Sequence, residues 1–293
     1  MTNNYSPTFI GIGAEKAGTT WLADALSKHP DIFLSTPKEI FYFNERDNYR
    51  QGRGKNINHS KPLSWYKKFF KNGQNHKQRG EFCTAYMYDQ KSAALIKKTL
   101  GKDIKILACL RHPAERTYSS YVWGTEYSKK ETRPAMQALK EEPELIDRSL
   151  YYRQLKPYFD TFGADKIFLA FFEDIKDKPQ EVIKDAYEFL GVDAAFMPEA
   201  LQKNSAKTTK NLWLKSSAEK LVDYMSSKKS LQALREKIQG NKLIVKAFRG
   251  LTEADSGKEK MSEDFREYVI KQTLEDTDRL AKLTRRGLDD WKR

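Results

Sequence analysis

The segment Phe9-Ile-Gly-Ile-Gly-Ala-Glu-Lys-Ala-Gly-Thr-Thr-Trp21 carries the residue types needed to bind a phosphate. A buried strand, a glycine-bounded turn and a helix start would aim backbone N–H groups and a positive helix end at one anion. Gly13 and Gly18 keep the Gly-x-x-x-x-Gly spacing of a nucleotide-phosphate loop, but Thr19-Thr20 stand where a kinase or ATPase carries Lys-Ser/Thr. The lysine, Lys16, lies inside the loop instead. Arg111 stands directly after an apolar run, where it could meet an anion or pair with a neighbouring acid, and Ser119 follows eight residues on. Glu39, in Lys38-Glu39-Ile40-Phe41-Tyr42-Phe43-Asn44, is a carboxylate 23 residues beyond Lys16, just before an aromatic run.

Elements to hold these groups are legible in the pattern. Thr8 to Ile12 reads as a strand and Gly18 to Lys28 as a helix, stopped by His29-Pro30. Ile32 to Leu34 reads as a short strand, Ser64 to Phe70 as helix, Glu81 to Met87 as a strand end and loop, and Gln90 to Leu100 as an amphipathic helix closed by Gly101. Arg50 to Ser60, rich in Gly, Asn and Arg, reads as a mobile loop. Ile104 to Leu110 is a near-continuous apolar run, the signature of a parallel strand covered on both faces. Helix is expected over Pro113 to Tyr127, then after a polar stretch (Ser128 to Glu144) over Ser149 to Phe162. A strand over Lys166 to Phe172 and a helix over Pro179 to Leu190 follow. Trp213 to Gly240 and Met261 to Arg293 read as helical and charged. Strands alternating with helices predict an α/β fold: a three-layer α/β/α arrangement of the nucleotide-phosphate-loop type, with a central parallel sheet and a helical C-terminal extension. One domain over 1–293 is expected, with an α/β core over about 8–213 and a mainly helical part over about 214–293.

Composition narrows the function classes. The chain has 293 residues with 39% hydrophobic content, enough for a buried core. No apolar run reaches the length of a membrane span and Met1 to Pro7 has no signal-peptide pattern, so a soluble, cytoplasmic protein is expected. Cys83 and Cys109 have no Cys-x-x-Cys partner and read as buried free thiols; no metal site is implied. The net charge of +13 is concentrated in two stretches. Arg50 to Gly80 holds nine Lys or Arg and no acid, and Lys203 to Arg249 holds twelve basic and three acidic residues. Either these stretches meet anionic ligands or they are solvated faces.

The displaced lysine followed by Ala-Gly-Thr-Thr-Trp closely resembles the 5′-phosphosulfate loop of sulfotransferases that use 3′-phosphoadenosine-5′-phosphosulfate (PAPS). Leu110-Arg-His-Pro-Ala-Glu-Arg-Thr-Tyr-Ser-Ser-Tyr121 resembles the same family's 3′-phosphate motif, with Arg111 and Ser119 at the matching positions. The resemblance implies a sulfuryl transfer from PAPS as co-substrate to a hydroxyl or amine, without a metal. Lys16 and the N–H groups of Ala17, Gly18, Thr19 and Thr20 would hold the phosphosulfate. Trp21 stands at an adenine-contacting position, and Phe172 where many relatives carry an adenine-contacting tyrosine, core packing being the competing role for both. Lys207, Thr208, Thr209 and Lys210 lie where relatives place a basic loop over the nucleotide. Glu39 before its aromatic run resembles the base of the heparan-type enzymes, with His112 as the competing base. In Glu81-Phe82-Cys83-Thr84-Ala85-Tyr86 the resemblance to a heparan-type Glu-Lys-x-x-Ala-Tyr segment holds except that Phe82 replaces the lysine, which argues against a glycosaminoglycan acceptor; the cations of Arg50 to Gly80 argue for an anionic one. Glycan, lipid and small metabolite all stay open as acceptors, and the oligomeric state is not legible. Two other readings are a nucleotide-dependent kinase or NTPase, and a non-catalytic anion-binding module. No nucleic-acid motif is present.

Overall fold

The computed structural model describes residues 5–45, 58–127, 131–202 and 261–293. The chain divides into two compact units, Met1–Leu201 with Ser262–Arg293, and Gln202–Met261. The described residues belong almost wholly to the first.

The first unit is built on a five-stranded, all-parallel sheet. Its strands are β1 (Phe9–Gly13), β2 (Ile32–Leu34), β3 (Gln78–Phe82), β4 (Lys105–Leu110) and β5 (Ile167–Phe171), in the spatial order β2-β3-β1-β4-β5. Helices α1 (Thr19–Ser27), α2 (Leu63–Lys67), α3 (Ala85–Tyr88), α4 (Ser92–Leu100) and α5 (Pro113–Val122) connect the first four strands and leave the fourth. They are followed by α6 (Ala135–Glu141), α7 (Glu144–Asp147), α8 (Tyr151–Phe162), α9 (Phe172–Asp177), α10 (Pro179–Leu190) and α11 (Glu199–Gln202), and the 22-residue α12 (Glu263–Thr284) returns to pack on α5 and α8.

Central position explains composition. β1 is buried along its whole length, and β4 from Ile106 to Leu110, because both lie between two neighbours and beneath helices. Gly11 faces Phe82 across the β1–β3 pair so closely that a Cβ there would stand 2.1 Å from the phenylalanine ring. Phe82, 2% exposed and edge-on to Phe9, therefore fills space that its glycine partner vacates.

Several elements differ from expectation. β3 begins at Gln78, because Thr8 Oγ1 and Leu190 O supply partners to the Gln78 side chain and His76 O and Ser6 O bond the Arg79 guanidinium, so polar residues are accommodated in a strand. The helix after β4 ends at Val122 and continues as a π-helical turn over Trp123–Tyr127. α6 lies within the polar stretch Ser128 to Glu144, for which no element is named. Ser64–Phe70 resolves into α2 and a 3₁₀ turn, Lys68–Gly73. Most of Arg50 to Ser60, and all of Trp213 to Gly240, lie outside the described residues.

In this strand order the chain leaves β1 toward β2 and leaves β4 toward β5. The carboxyl ends of β1 and β4 therefore open onto a crevice from which the connections diverge, the usual ligand position in an open parallel sheet.

Candidate active site

The loop after β1 turns through two residues of positive φ, Lys16 at 64° and Gly18 at 98°. Gly18 is the N-cap of α1 and has no side chain to fold over the first helical turn; a Cβ there would meet the Phe172 ring and Ile175 at 3.1 Å. Thr19 and Ala17 are buried, while Lys16, Thr20 and Trp21 are half-buried. A cation on the loop, a glycine cap and a helix start make a donor set suited to a phosphosulfate, and the residues present fit that group. Behind the loop, Glu15 is 4% exposed and ion-paired to Arg148 at 3.4 Å.

Arg111, immediately after β4, reaches back to this loop. Its Nη1 donates to the Lys16 carbonyl at 3.4 Å, its Nη2 bonds Glu115 at 3.1 Å, and its guanidinium lies 4.5 Å above the centre of the Phe172 ring. Tyr151 donates to the Arg111 carbonyl at 2.9 Å, fixing the turn from behind. Glu115 and Ser119 follow at intervals of four, so Ser119 lies two helical turns along the side that faces Arg111. Lys16, Gly18, Arg111 and Phe172 thus belong to one cluster at the β1–β4 crevice. Lys207, Thr208, Thr209 and Lys210 lie outside the described residues.

Glu39 stands on the other side of β1. Its side chain is 15% exposed, with Oε1 accepting from Lys38 Nζ at 2.9 Å and from Thr84 Oγ1 at 3.2 Å. Thr84 in turn backs Gly13, where a Cβ would come within 3.4 Å of the Thr84 carbonyl. Thr84 thus links the carboxylate to the base of the phosphate loop. Glu39 has φ 68° and Phe41 φ 57°, both unusual for residues with side chains.

His112 is the N-cap of α5, its Nδ1 accepting from Ala114 N at 3.1 Å, and its Nε2 lies 3.2 Å from an Arg266 nitrogen. Burial and, secondarily, the charge of Arg266 push its pKa below the usual histidine value. His29 is wedged between Tyr187 and Phe196 and bonds Asp193 O and Asp31 N. No group of three or more His, Cys, Asp or Glu side chains able to hold a metal occurs among the described residues. Cys83 and Cys109 are buried free thiols, Cys109 pushed by burial to about 12.

Sequence reasoning missed three participants. Arg266, on α12, bonds Glu115 at 3.3 Å, so one glutamate is shared between Arg266 and Arg111. Glu81 immediately precedes, and Thr84 lies two residues after, Phe82 at the position of the replaced lysine. Only the fold shows what they touch.

Comparison with known proteins follows this geometry. Residues 6–269 match the family model described as a sulfotransferase domain. The membrane-associated sulfotransferase kil1 of Dictyostelium discoideum is 33% identical over 168 residues, 55% of this chain and 32% of that protein. The bifunctional heparan sulfate N-deacetylase/N-sulfotransferase 1 of Mus musculus is 27% identical over 210 residues, 64% of this chain and 22% of that protein. The chain thus spans about a third and about a fifth of these relatives' lengths. A crystal structure of a sulfotransferase from Alicyclobacillus acidocaldarius shares the fold, with a TM-score of 0.71 and 24% identity over 98% of this chain and 99% of that one. Since the family model covers the phosphate loop, the Glu39 segment, the Arg111 turn and the start of α12 in one continuous match, the chain belongs to the sulfotransferase domain family.

Proposed function

We propose that the protein transfers a sulfuryl group from PAPS to a hydroxyl or amine of an acceptor, with Glu39 as base and Lys16 as the cation that neutralises the leaving phosphate. The observation that carries this reading is the Arg111 contact to the Lys16 carbonyl, which puts two anion-binding segments 95 positions apart side by side. When bound, PAPS supplies the activated sulfuryl group. The chain's own residues do the rest. Lys16 and the N–H groups of Ala17 to Thr20 bind the phosphosulfate end; Arg111 and Ser119 bind the 3′-phosphate; Trp21 and Phe172 offer apolar faces to the adenine. Glu39 takes the acceptor's proton, and Lys38, ion-paired to it at 2.9 Å, orients the carboxylate.

The acceptor is an anionic glycan or a small metabolite, a choice supported by the exposed Lys61, whose carbonyl accepts from the Tyr42 hydroxyl of the Glu39 segment at 3.2 Å. Two buried, unpaired thiols are in keeping with a reducing, cytoplasmic setting. No helix among the described residues is long and apolar enough to cross a membrane.

Calorimetric titration with 3′-phosphoadenosine-5′-phosphate and with ATP, in magnesium-free buffer, tests the reading. The 3′-phosphorylated ligand should bind more tightly than ATP. Lys16→Ala and Arg111→Ala should each lower its affinity by about tenfold or more, the value of one lost charge-assisted contact. Glu39→Gln should leave that affinity intact. Preference for ATP with magnesium would overturn the proposal.

A further inference from the structure

Glu81 is 1% exposed and belongs to no binding segment described above. It lies on β3 beneath the strap that carries Glu39, and its oxygens meet three donors: Tyr66 Oη at 2.6 Å and Tyr86 Oη at 3.0 Å on Oε1, and the Ile40 N–H at 3.4 Å on Oε2. Tyr86 Oη also accepts the Tyr42 N–H at 2.8 Å, so a second strap amide is tied to the same carboxylate through one hydroxyl. With Glu39 N–H donating to the Phe82 carbonyl at 2.8 Å, the amides of residues 39, 40 and 42 are all anchored to β3 or to the residues just beyond it. Two residues of this stretch, Glu39 and Phe41, have positive φ. A non-glycine residue in that conformation persists only when its surroundings over-determine it. The buried carboxylate and its two tyrosines, one stacked on Tyr42 at 4.5 Å, are those surroundings.

We propose that Glu81 is a positioning residue for the base: through Ile40 N–H and the Tyr86 hydroxyl it locks the strap in the backbone conformation that presents the Glu39 carboxylate. The proposal rests on the reading of Glu39 as base. It has a pH signature. The ionised carboxylate accepts from all three donors with full charge, whereas a protonated one gives up one lone pair to its hydrogen and is the weaker acceptor. The titratable groups that face Glu81 are Tyr66, Tyr86, Tyr42, Cys83 and Glu39; burial raises both buried tyrosines and Cys83 well above their ordinary values, so those three stay neutral. Glu81 itself is raised by burial to about 7, with the tyrosine bonds and the Ile40 N–H pulling the other way and the charge of Glu39 adding to the rise. The strap is therefore held most firmly above pH 7.

The test uses the full chain. The Ile40 and Tyr42 amide resonances are followed from pH 5.5 to 8.5 in the wild type, Glu81→Gln and Tyr86→Phe. In parallel, release of 3′-phosphoadenosine-5′-phosphate from PAPS is measured with water as the probe acceptor. The wild-type Ile40 amide should titrate with a midpoint near 7, and kcat should rise through the same pH. Glu81→Gln should abolish both inflexions and lower kcat by about 10- to 100-fold, the usual cost of a misplaced catalytic group, while the KM for PAPS stays within about twofold. Tyr86→Phe, a smaller change, should move the Tyr42 amide and lower kcat in the same sense. An unchanged inflexion in Glu81→Gln, or a raised KM with normal kcat, would overturn the assignment. If 3′-phosphoadenosine-5′-phosphate does not bind the wild type, the PAPS reading fails, and the Ile40 titration alone decides whether Glu81 holds the strap.

Discussion

At the scale of single residues, the site is shaped by who must give way to whom. Phe82 stands where the heparan-type pattern has a lysine, and its ring occupies the space over Gly11. A lysine there would bury its charge among Phe9 and β1, at a cost of several kcal/mol. Lys38, which reaches Glu39 from the neighbouring position, is the cation actually in contact with the carboxylate. The pairing of Gly11 with Phe82 predicts that Gly11→Ala destabilises the protein by about 2 kcal/mol, the usual cost of overpacking a tight core. Thermal unfolding checks this; a melting temperature equal to the wild type's would show that the ring has room to move. Lys16, Arg111 and Glu39 could be singled out as candidates because each has telling immediate neighbours: glycines and threonines, the end of an apolar run, an aromatic cluster. Glu81 and Thr84 were not, since the meaning of each depends on a partner about 40 residues away.

Elements whose burial comes from position alone announce themselves. β1 and β4 were read correctly to within one residue because apolar runs mark strands covered on both faces. β3 was read only in part, because Gln78 and Arg79 satisfy their polar groups through distant carbonyls and a hydroxyl that no local pattern reveals. α12 was legible as a helix, but not its role. Ser262 caps it by accepting from Phe265 N at 3.3 Å, Phe265 is fully buried beside Tyr118, and the helix brings Arg266 to Glu115. With Glu115 shared between two arginines, its hold on Arg111 is divided. Arg266→Ala should leave Glu115 to bind Arg111 alone and lower the affinity for 3′-phosphoadenosine-5′-phosphate by about two- to fivefold, the value of one partly exposed ion pair. Calorimetry reads this directly, and an affinity that rises instead would show Arg266 competing with Arg111.

Over the whole molecule, two buried groups pull stability in opposite directions as pH changes. Glu81 has a folded pKa raised to about 7, so the folded state holds its proton more tightly than the unfolded chain does. Its contribution is complete below the ordinary glutamate value and lost as pH rises through about 7. His112 is shifted down, so its neutral burial contributes above the ordinary histidine value and is lost as pH falls. The wild type should therefore lose about 3 kcal/mol relative to Glu81→Gln between pH 4.5 and 8, measured by denaturant unfolding. A constant difference across that range would mean that Glu81 titrates normally in the fold.

The return of α12 to α5 and α8 has a consequence for how the protein is made. All five strands are complete at Phe171, but Glu263 lies 92 residues further on, beyond the second compact unit. A growing polypeptide on the ribosome can pair its sheet and form the phosphate loop long before the helix that carries Arg266 exists. During that interval Tyr118 and Tyr121 lack their Phe265 partner and Glu115 holds Arg111 undivided. The ion pair between Arg266 and Glu115 can thus form only after the second compact unit has been synthesised.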